Sequence, residues 1–239
     1  LPADSIDGDV MLSVAFEQGD DAEYTLIFSD EFDEPDGSLP DAGKWGCSER
    51  HGATWNRWIV DDPRVAFLQD GQLVTGAIPN PDPTRYEGDM ITGAIQTRYK
   101  FGWQYGKIEA RILTNPHTGN FPAFWLMPDD QSLGWPNDGE IDIWEQIDGQ
   151  NTAYHTLHTG YRTSMRAFQE SCPMDRYHTY GFEWDAEKMI WYLDGKEVGR
   201  YRNGEIDDPR AWPYDKTFYI ILNQSVGNGA WARPADITH

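Results

Sequence analysis

The sequence predicts an all-β protein built as a two-sheet sandwich or barrel. Short apolar runs follow one another almost without pause from Tyr24 onward. Gly, Pro, Asn and Asp separate them at turn-like intervals, as in antiparallel sheet proteins. No long window carries an apolar stripe of helical period. The best helical candidate, Thr163–Glu170, is short and weak.

The elements follow in order. Residues 1–23 are polar and acidic, with one alternating stretch at Val10–Phe16, and are expected to form an N-terminal arm or an extra strand. Tyr24–Ser29 is short, apolar and β-prone. Val65–Leu68 and Gln72–Thr75 flank Asp70-Gly71, a hairpin signal because a two-residue turn needs positive φ at its centre. Gly106–Leu113 alternates, which puts Ile108, Ala110 and Ile112 on one face. Tyr180–Trp184 is a further strand. Met189–Leu193 and Lys196–Tyr201 flank Asp194-Gly195 as a second hairpin, and Phe218–Asn223 closes the series. No repeat or linker divides the chain; Asn80-Pro-Asp-Pro83 is too short to do so, and 24–239 is expected to be one domain.

Charge narrows the function. The 239 residues include 40 acidic and 19 basic side chains, a formal net charge of −21. That field repels phosphate and argues against nucleic acid or an anionic membrane as partner. Eleven Trp offer flat apolar faces with a polar tip, which suits the C–H faces of a neutral polysaccharide as well as a β core. There is no metal-binding Cys/His cluster. Cys47 and Cys172 lie far apart, so one disulfide and two thiols are equally compatible. No apolar run reaches the roughly 18 residues of a spanning helix.

The segment Gly139-Glu-Ile-Asp-Ile-Trp-Glu145 concentrates acid. On a strand, residues two apart share a face, so Glu140 and Asp142 point one way and Ile141 and Ile143 the other. Glu145 breaks the parity. One extra residue near Ile143-Trp144, taken up as a β-bulge, would return it to the acidic face. Two carboxylates on one face can divide glycoside cleavage between a nucleophile and an acid/base; retention needs them about 5–5.5 Å apart. Four pairing positions span about 13 Å between Cα atoms, so the side chains must lean together. Asp142, between them, would help hold their pKa values apart. Taken alone, three acids in six residues also fit a solvated strand face or a cation site.

Trp135-Pro-Asn-Asp-Gly-Glu-Ile-Asp-Ile-Trp-Glu145 closely resembles the active-site signature of glycoside hydrolase family 16, Glu-x-Asp-x-x-Glu, in its laminarinase-like branch. The resemblance runs in order from residue 24 to 233. It includes Phe28-Ser-Asp-Glu-Phe32, Tyr105-Gly-Lys-Ile-Glu-Ala-Arg111, Phe121-Pro-Ala-Phe-Trp-Leu-Met-Pro128, Thr156-Leu-His158, Phe182-Glu-Trp184, Trp191-Tyr-Leu-Asp-Gly195 and Ile221-Leu-Asn223. It implies a β-jelly-roll of two curved antiparallel sheets with a substrate cleft on the concave one. It also implies a retaining mechanism with Glu140 as nucleophile, Asp142 as assisting acid and Glu145 as general acid/base. Trp125 and Trp135 match cleft aromatics. His158 is expected in the cleft, bonded to Glu145. Asn56 and Trp231 belong to cleft loops, and of Asn223 and Gln224 one should point inward and the other out.

The sequence also departs from the family. Ala94 stands where laminarinase-like members commonly carry Arg, so linkage preference does not carry over. The family usually continues past the position of His239 into a final alternating strand, and that strand is expected to be missing here. Members often bind a structural calcium, for which Glu31 and the Gly71 carbonyl are the local candidates; no cofactor is required for the chemistry. The expectation is therefore a monomeric, secreted or cell-surface endo-β-glucanase cutting neutral β-1,3-glucan or mixed-linkage β-1,3/1,4-glucan. A galactan hydrolase, for which Arg57, Arg85 and Arg98 are the available cations, and a non-catalytic glycan-binding jelly roll are the alternatives.

Overall fold

The computed structural model describes residues 12–16 and 24–234. It is a β-jelly-roll sandwich of two antiparallel sheets, with no α-helix among the described residues. The outer sheet runs, edge to edge, β16 (Lys196–Arg202), β15 (Lys188–Leu193), β14 (His178–Trp184), β9 (Gly106–Ile112), β1 (Leu12–Phe16) and β2 (Thr25–Asp30). The sheet under the cleft runs β13 (Arg166–Ser171), β12 (Thr152–His158), β11 (Glu140–Glu145), β10 (Asn120–Pro128), β17 (Phe218–Val226), β8 (Ala94–Gln96) and β3 (Gly46–Cys47). Two small ribbons complete the set, β4 (Ala66–Gln69) with β5 (Gln72–Thr75) and β6 (Ala77–Pro79) with β7 (Met90–Thr92).

Both expected hairpins form. Asp70 and Gly71 have φ of 54° and 70°, and Asp194 and Gly195 have φ of 50° and 76°. These values belong to the turns that match strand twist. The extra-strand reading of the N-terminal region holds at Leu12–Phe16, which inserts between β9 and β2; Val10 and Met11 lie outside the described residues. The weak helical candidate at Thr163–Glu170 is not a helix. Its second half is β13, paired along β12 from Leu157↔Arg166 to Thr152↔Ser171. The open edge of β12 offers a ladder of backbone partners that a short, weakly amphipathic helix cannot match.

The core lies between the sheets. Phe124 and Leu126 of β10, Ile141, Ile143 and Trp144 of β11, and Ile220 and Leu222 of β17 face Ile108 and Ala110 of β9, Phe182 and Trp184 of β14 and Trp191 of β15. The alternate residues of the same strands, Ala123, Trp125, Tyr219 and Ile221, cluster on the opposite face. Period-two alternation thus assigns one face to the core and leaves the other for a site. Both cysteines are thiols: Cys172 is buried beside Met174, and burial raises Cys47 to about 11.

Candidate active site

The acids stand on β11, and a bulge sets their direction. Along β12 the register is Glu140↔His158, Asp142↔Thr156 and then Glu145↔Tyr154, so three steps on β11 answer two on β12. Along β10, Trp125↔Asp142 is followed by Phe124↔Trp144 and Ala123↔Glu145, which leaves Ile143 without a partner position. Ile143 and Trp144 are consecutive and both buried. The insertion therefore takes two successive apolar side chains into the core and returns Glu145 to the face of Glu140. Both glutamates line a cleft of about 830 Å³ over the sheet.

Each acid has different neighbours. Trp135 Nε1 donates to Glu140 Oε2. Trp135 is held over the site by its loop, where Leu133 N donates to buried Asp138 at 2.8 Å and Lys216 pairs with the same carboxylate at 3.0 Å. Asp142 is buried and accepts from His158 Nε2 at 3.0 Å. Ser164 N donates to His158 Nδ1 at 3.2 Å, which requires a lone pair there and puts the ring hydrogen on Nε2. Burial lowers the His158 pKa, but the bond to Asp142 and the charges of Asp142 and Glu140 outweigh it and favour the protonated ring. Ser164 N opposes that, since an imidazolium would turn an N–H toward it. Donation from Nε2 to Asp142 is common to both states. The expected partner of His158 was Glu145. The register corrects this: His158 stands opposite Glu140, while Glu145 stands opposite Tyr154 at the other end of the pair.

Burial raises both glutamate pKa values, and neighbouring charge adds to it: Asp142 acts on Glu140, and Asp142 and Glu140 act on Glu145. The two then diverge. Glu140 also feels the charge of His158 and the Trp135 donor, both of which favour its anion. The causes acting on Glu145, burial first and then the charges of Asp142 and Glu140, all raise it. Environments that separate two carboxyls in this way separate an acid from a base.

The other expected residues divide. Asn56, Trp125, Trp135, His158 and Trp231 line the cleft. Trp135 is 55% exposed, which removes core packing as its role. Trp231 packs edge-on against Tyr154 at 5.1 Å. Asn56 is buried, and its Oδ1 has no partner among the described residues. Asn223 lies on the inward parity but does not line the cleft. Its Oδ1 accepts from Trp125 Nε1 at 2.7 Å, and its Nδ2 donates to Phe121 O and Ser225 Oγ, so it positions the floor. Gln224 points to the other side of β17, as parity requires, and is not a cleft residue. Trp55, Arg98 and Tyr219 line the cleft and were not expected there as sugar contacts. Trp55 stands edge-on to Trp125 at 4.7 Å. Tyr219 shares parity with Ile221 on a recognised strand, so alternation alone could have found it.

The cations and the calcium candidates can be placed too. Arg57 donates to Gly227 O and covers Trp58, and Arg85 covers Tyr86; of the three available cations, Arg98 lines the cleft. Glu31 is crowded by Asp30 and Asp33, and Asp30 is already engaged by Phe32 N, Trp45 Nε1 and Lys44. Gly71 sits in the turn whose Asp70 N is tied to Asp36. Asp33 and Glu34 stand in the same stretch, and the buried Glu34 Oε2 has no partner among the described residues. Among the described residues, the side-chain group with metal-like spacing is Glu140, Asp142 and His158 in the cleft, where His158 already donates to Asp142.

Comparison with known proteins agrees with this geometry. Residues 87–238 match the model of "Glycosyl hydrolases family 16". A keratan-sulfate endo-1,4-β-galactosidase of Sphingobacterium multivorum is 31% identical over 91% of this chain, which spans about half, 52%, of that relative. A β-glucanase of Rhodothermus marinus is 34% identical over 87% of this chain and 77% of its own length. Among solved structures, the non-specific endo-β-1,3(4)-glucanase SCLam superposes with a TM-score of 0.82 at 28% identity, covering 94% of this chain and 92% of that one. On the family match and the extent of the likeness, the chain belongs to glycosyl hydrolases family 16.

Proposed function

We propose that the protein is a retaining endo-β-glucanase acting on β-1,3-glucan or mixed-linkage β-1,3/1,4-glucan outside the cytoplasm. The observation that carries the reading is the Ile143 bulge, which turns Glu140 and Glu145 into one cleft with unlike surroundings. Glu140, favoured as an anion by Trp135 and His158, attacks the anomeric carbon. Glu145, kept protonated by burial and by the charges beside it, gives its proton to the departing glycosidic oxygen. The chain beyond that oxygen leaves, and a glycosyl ester on Glu140 remains. Glu145, now a carboxylate, takes a proton from water; the resulting oxygen attacks the same carbon and frees Glu140. Asp142, held by His158, supplies the fixed negative charge that keeps Glu145 protonated.

The cleft supports a neutral substrate. Trp55, Trp135 and Trp231 line it and offer ring faces to sugar, Trp125 is packed into its floor, and among the described residues Arg98 is the arginine in its lining. Arg57 and Arg85 are engaged elsewhere, so a cation patch for sulfated galactan is not assembled. The test is release of reducing sugar from laminarin and from barley-type glucan, with keratan sulfate as the contrasting substrate and Glu140→Ala as control. Release from either glucan that disappears in Glu140→Ala supports the reading. Full activity in that variant, or release from keratan sulfate alone, rejects it.

A further inference from the structure

The β8 rim of the cleft carries an arrangement the reaction itself does not need. Tyr99, three residues beyond β8, is 84% exposed, and its backbone has φ of 65°. Left-handed backbone is where glycine is free and other residues are strained. Backbone preference and the hydrophobic effect therefore both disfavour a large ring at this point, and such outliers cluster at ligand sites. Beside it, the Arg98 guanidinium lies 4.9 Å from the Tyr99 ring and 5.6 Å from the Tyr219 ring. Its Nε is buried with no acceptor among the described residues. Ring faces hold the cation, and no acceptor there occupies that donor. Thr97 N donates to Ile220 O, which sets Arg98 alongside Tyr219, and the Tyr219 hydroxyl accepts from Gln131 at 3.2 Å. Arg98, Gln131 and Tyr219 all line the cleft.

We propose that Tyr99, Arg98, Tyr219 and Gln131 form a distal subsite for a neutral glucan residue, one that grips long chains. Tyr219 stands two strands from the acids, on β17, and Arg98 and Tyr99 follow β8, a third strand out at about 14 Å by ordinary strand spacing. That is too far to touch the sugar being cleaved and within reach of the same chain further along. The exposed Tyr99 ring offers a face to a pyranose, Arg98 offers donors to its hydroxyls, and Gln131, whose Nε2 already donates to Pro128 O and the Tyr219 hydroxyl, offers its Oε1 as an acceptor. Asp129 is close enough to feel the Arg98 charge, which offsets the cation and favours a neutral over a sulfated sugar.

The subsite rests on the glucanase reading, and binding separates the two. In a Glu140→Ala background, titration calorimetry compares a β-glucan hexasaccharide with a trisaccharide. Tyr99→Gly, which relieves the left-handed backbone and should not lower the melting temperature, is expected to weaken the hexasaccharide about five- to tenfold. The trisaccharide should change less than twofold. Arg98→Met, of similar length, should act in the same direction. Equal losses on both sugars, no loss on the hexasaccharide, or tighter binding of a sulfated hexasaccharide than of the neutral one overturns the subsite, as does a parent that binds no glucan. If unmutated protein releases no sugar while the length-dependent loss persists, the catalytic reading falls and the subsite stands.

Discussion

Single side chains separate the two glutamates. The Trp135 indole donates to Glu140, and among the described residues no comparable donor reaches Glu145. Glu140 must be ionised to attack, so losing that donor raises its pKa and shifts the acid limb of kcat/KM to higher pH. Trp135→Phe should show this in a pH–rate profile, with the alkaline limb little moved. Glu145 carries the opposite requirement. Glu145→Gln should lower kcat by about 10²- to 10⁴-fold, the worth of a positioned acid/base. The same change should stabilise the fold. With a native pKa above the unfolded one, the native state holds more protons, so wild-type stability falls as pH rises from the unfolded pKa through the native one. Gln has no such loss. Its melting temperature should exceed that of wild type at neutral pH, and the two should converge below about pH 4, where the unfolded carboxyl is also protonated.

Elements decide what residue identity leaves open. Were all six residues of β11 paired in regular alternation, with no bulge, Glu145 would take the parity of Ile141 and face the core, where an unpaired carboxylate is costly. Deleting Ile143 would remove the extra residue and the bulge together and leave Glu145 on the Glu140 face, so sugar release should persist while the denaturation midpoint in urea falls with the lost buried side chain. The β8 rim depends on a close approach of another kind. A Cβ on Gly93 would collide with the Val65 carbonyl, and Gln224 N donates to the Gly93 carbonyl at 3.0 Å. Backbone cannot move aside as a side-chain tip can. Gly93→Ala should cost about 1–3 kcal/mol or more in urea unfolding.

At the scale of the molecule, charge and aromatic content act together. A formal charge of −21 on one compact body is self-repelling. Raising sodium chloride from low to physiological strength screens that repulsion, because the Debye length falls to about 8 Å at 0.15 M. The melting temperature should therefore rise with salt; a fall would mean that specific ion pairs dominate. Activity on a neutral polymer should change little over the same range, since no charged encounter is being screened.

Alternation, the paired Asp-Gly turns and the acid spacing were legible in the sequence because they depend on near neighbours. They were enough for the two Asp-Gly hairpins, the strands at Gly106–Leu113, Tyr180–Trp184 and Phe218–Asn223, and the need for a bulge before Glu145. The Thr163–Glu170 segment misled because its local preference is weak and the open edge of β12 outweighs it. The pairing of His158 with Asp142, and the diversion of Asn223 from sugar contact to holding Trp125, depend on which strands lie side by side. So does the place of Leu12–Phe16 between β9 and β2. Periodicity along one strand says which way a side chain points. Only the packed sheets decide what it meets there, because hydrogen bonding and desolvation act between residues far apart in the chain.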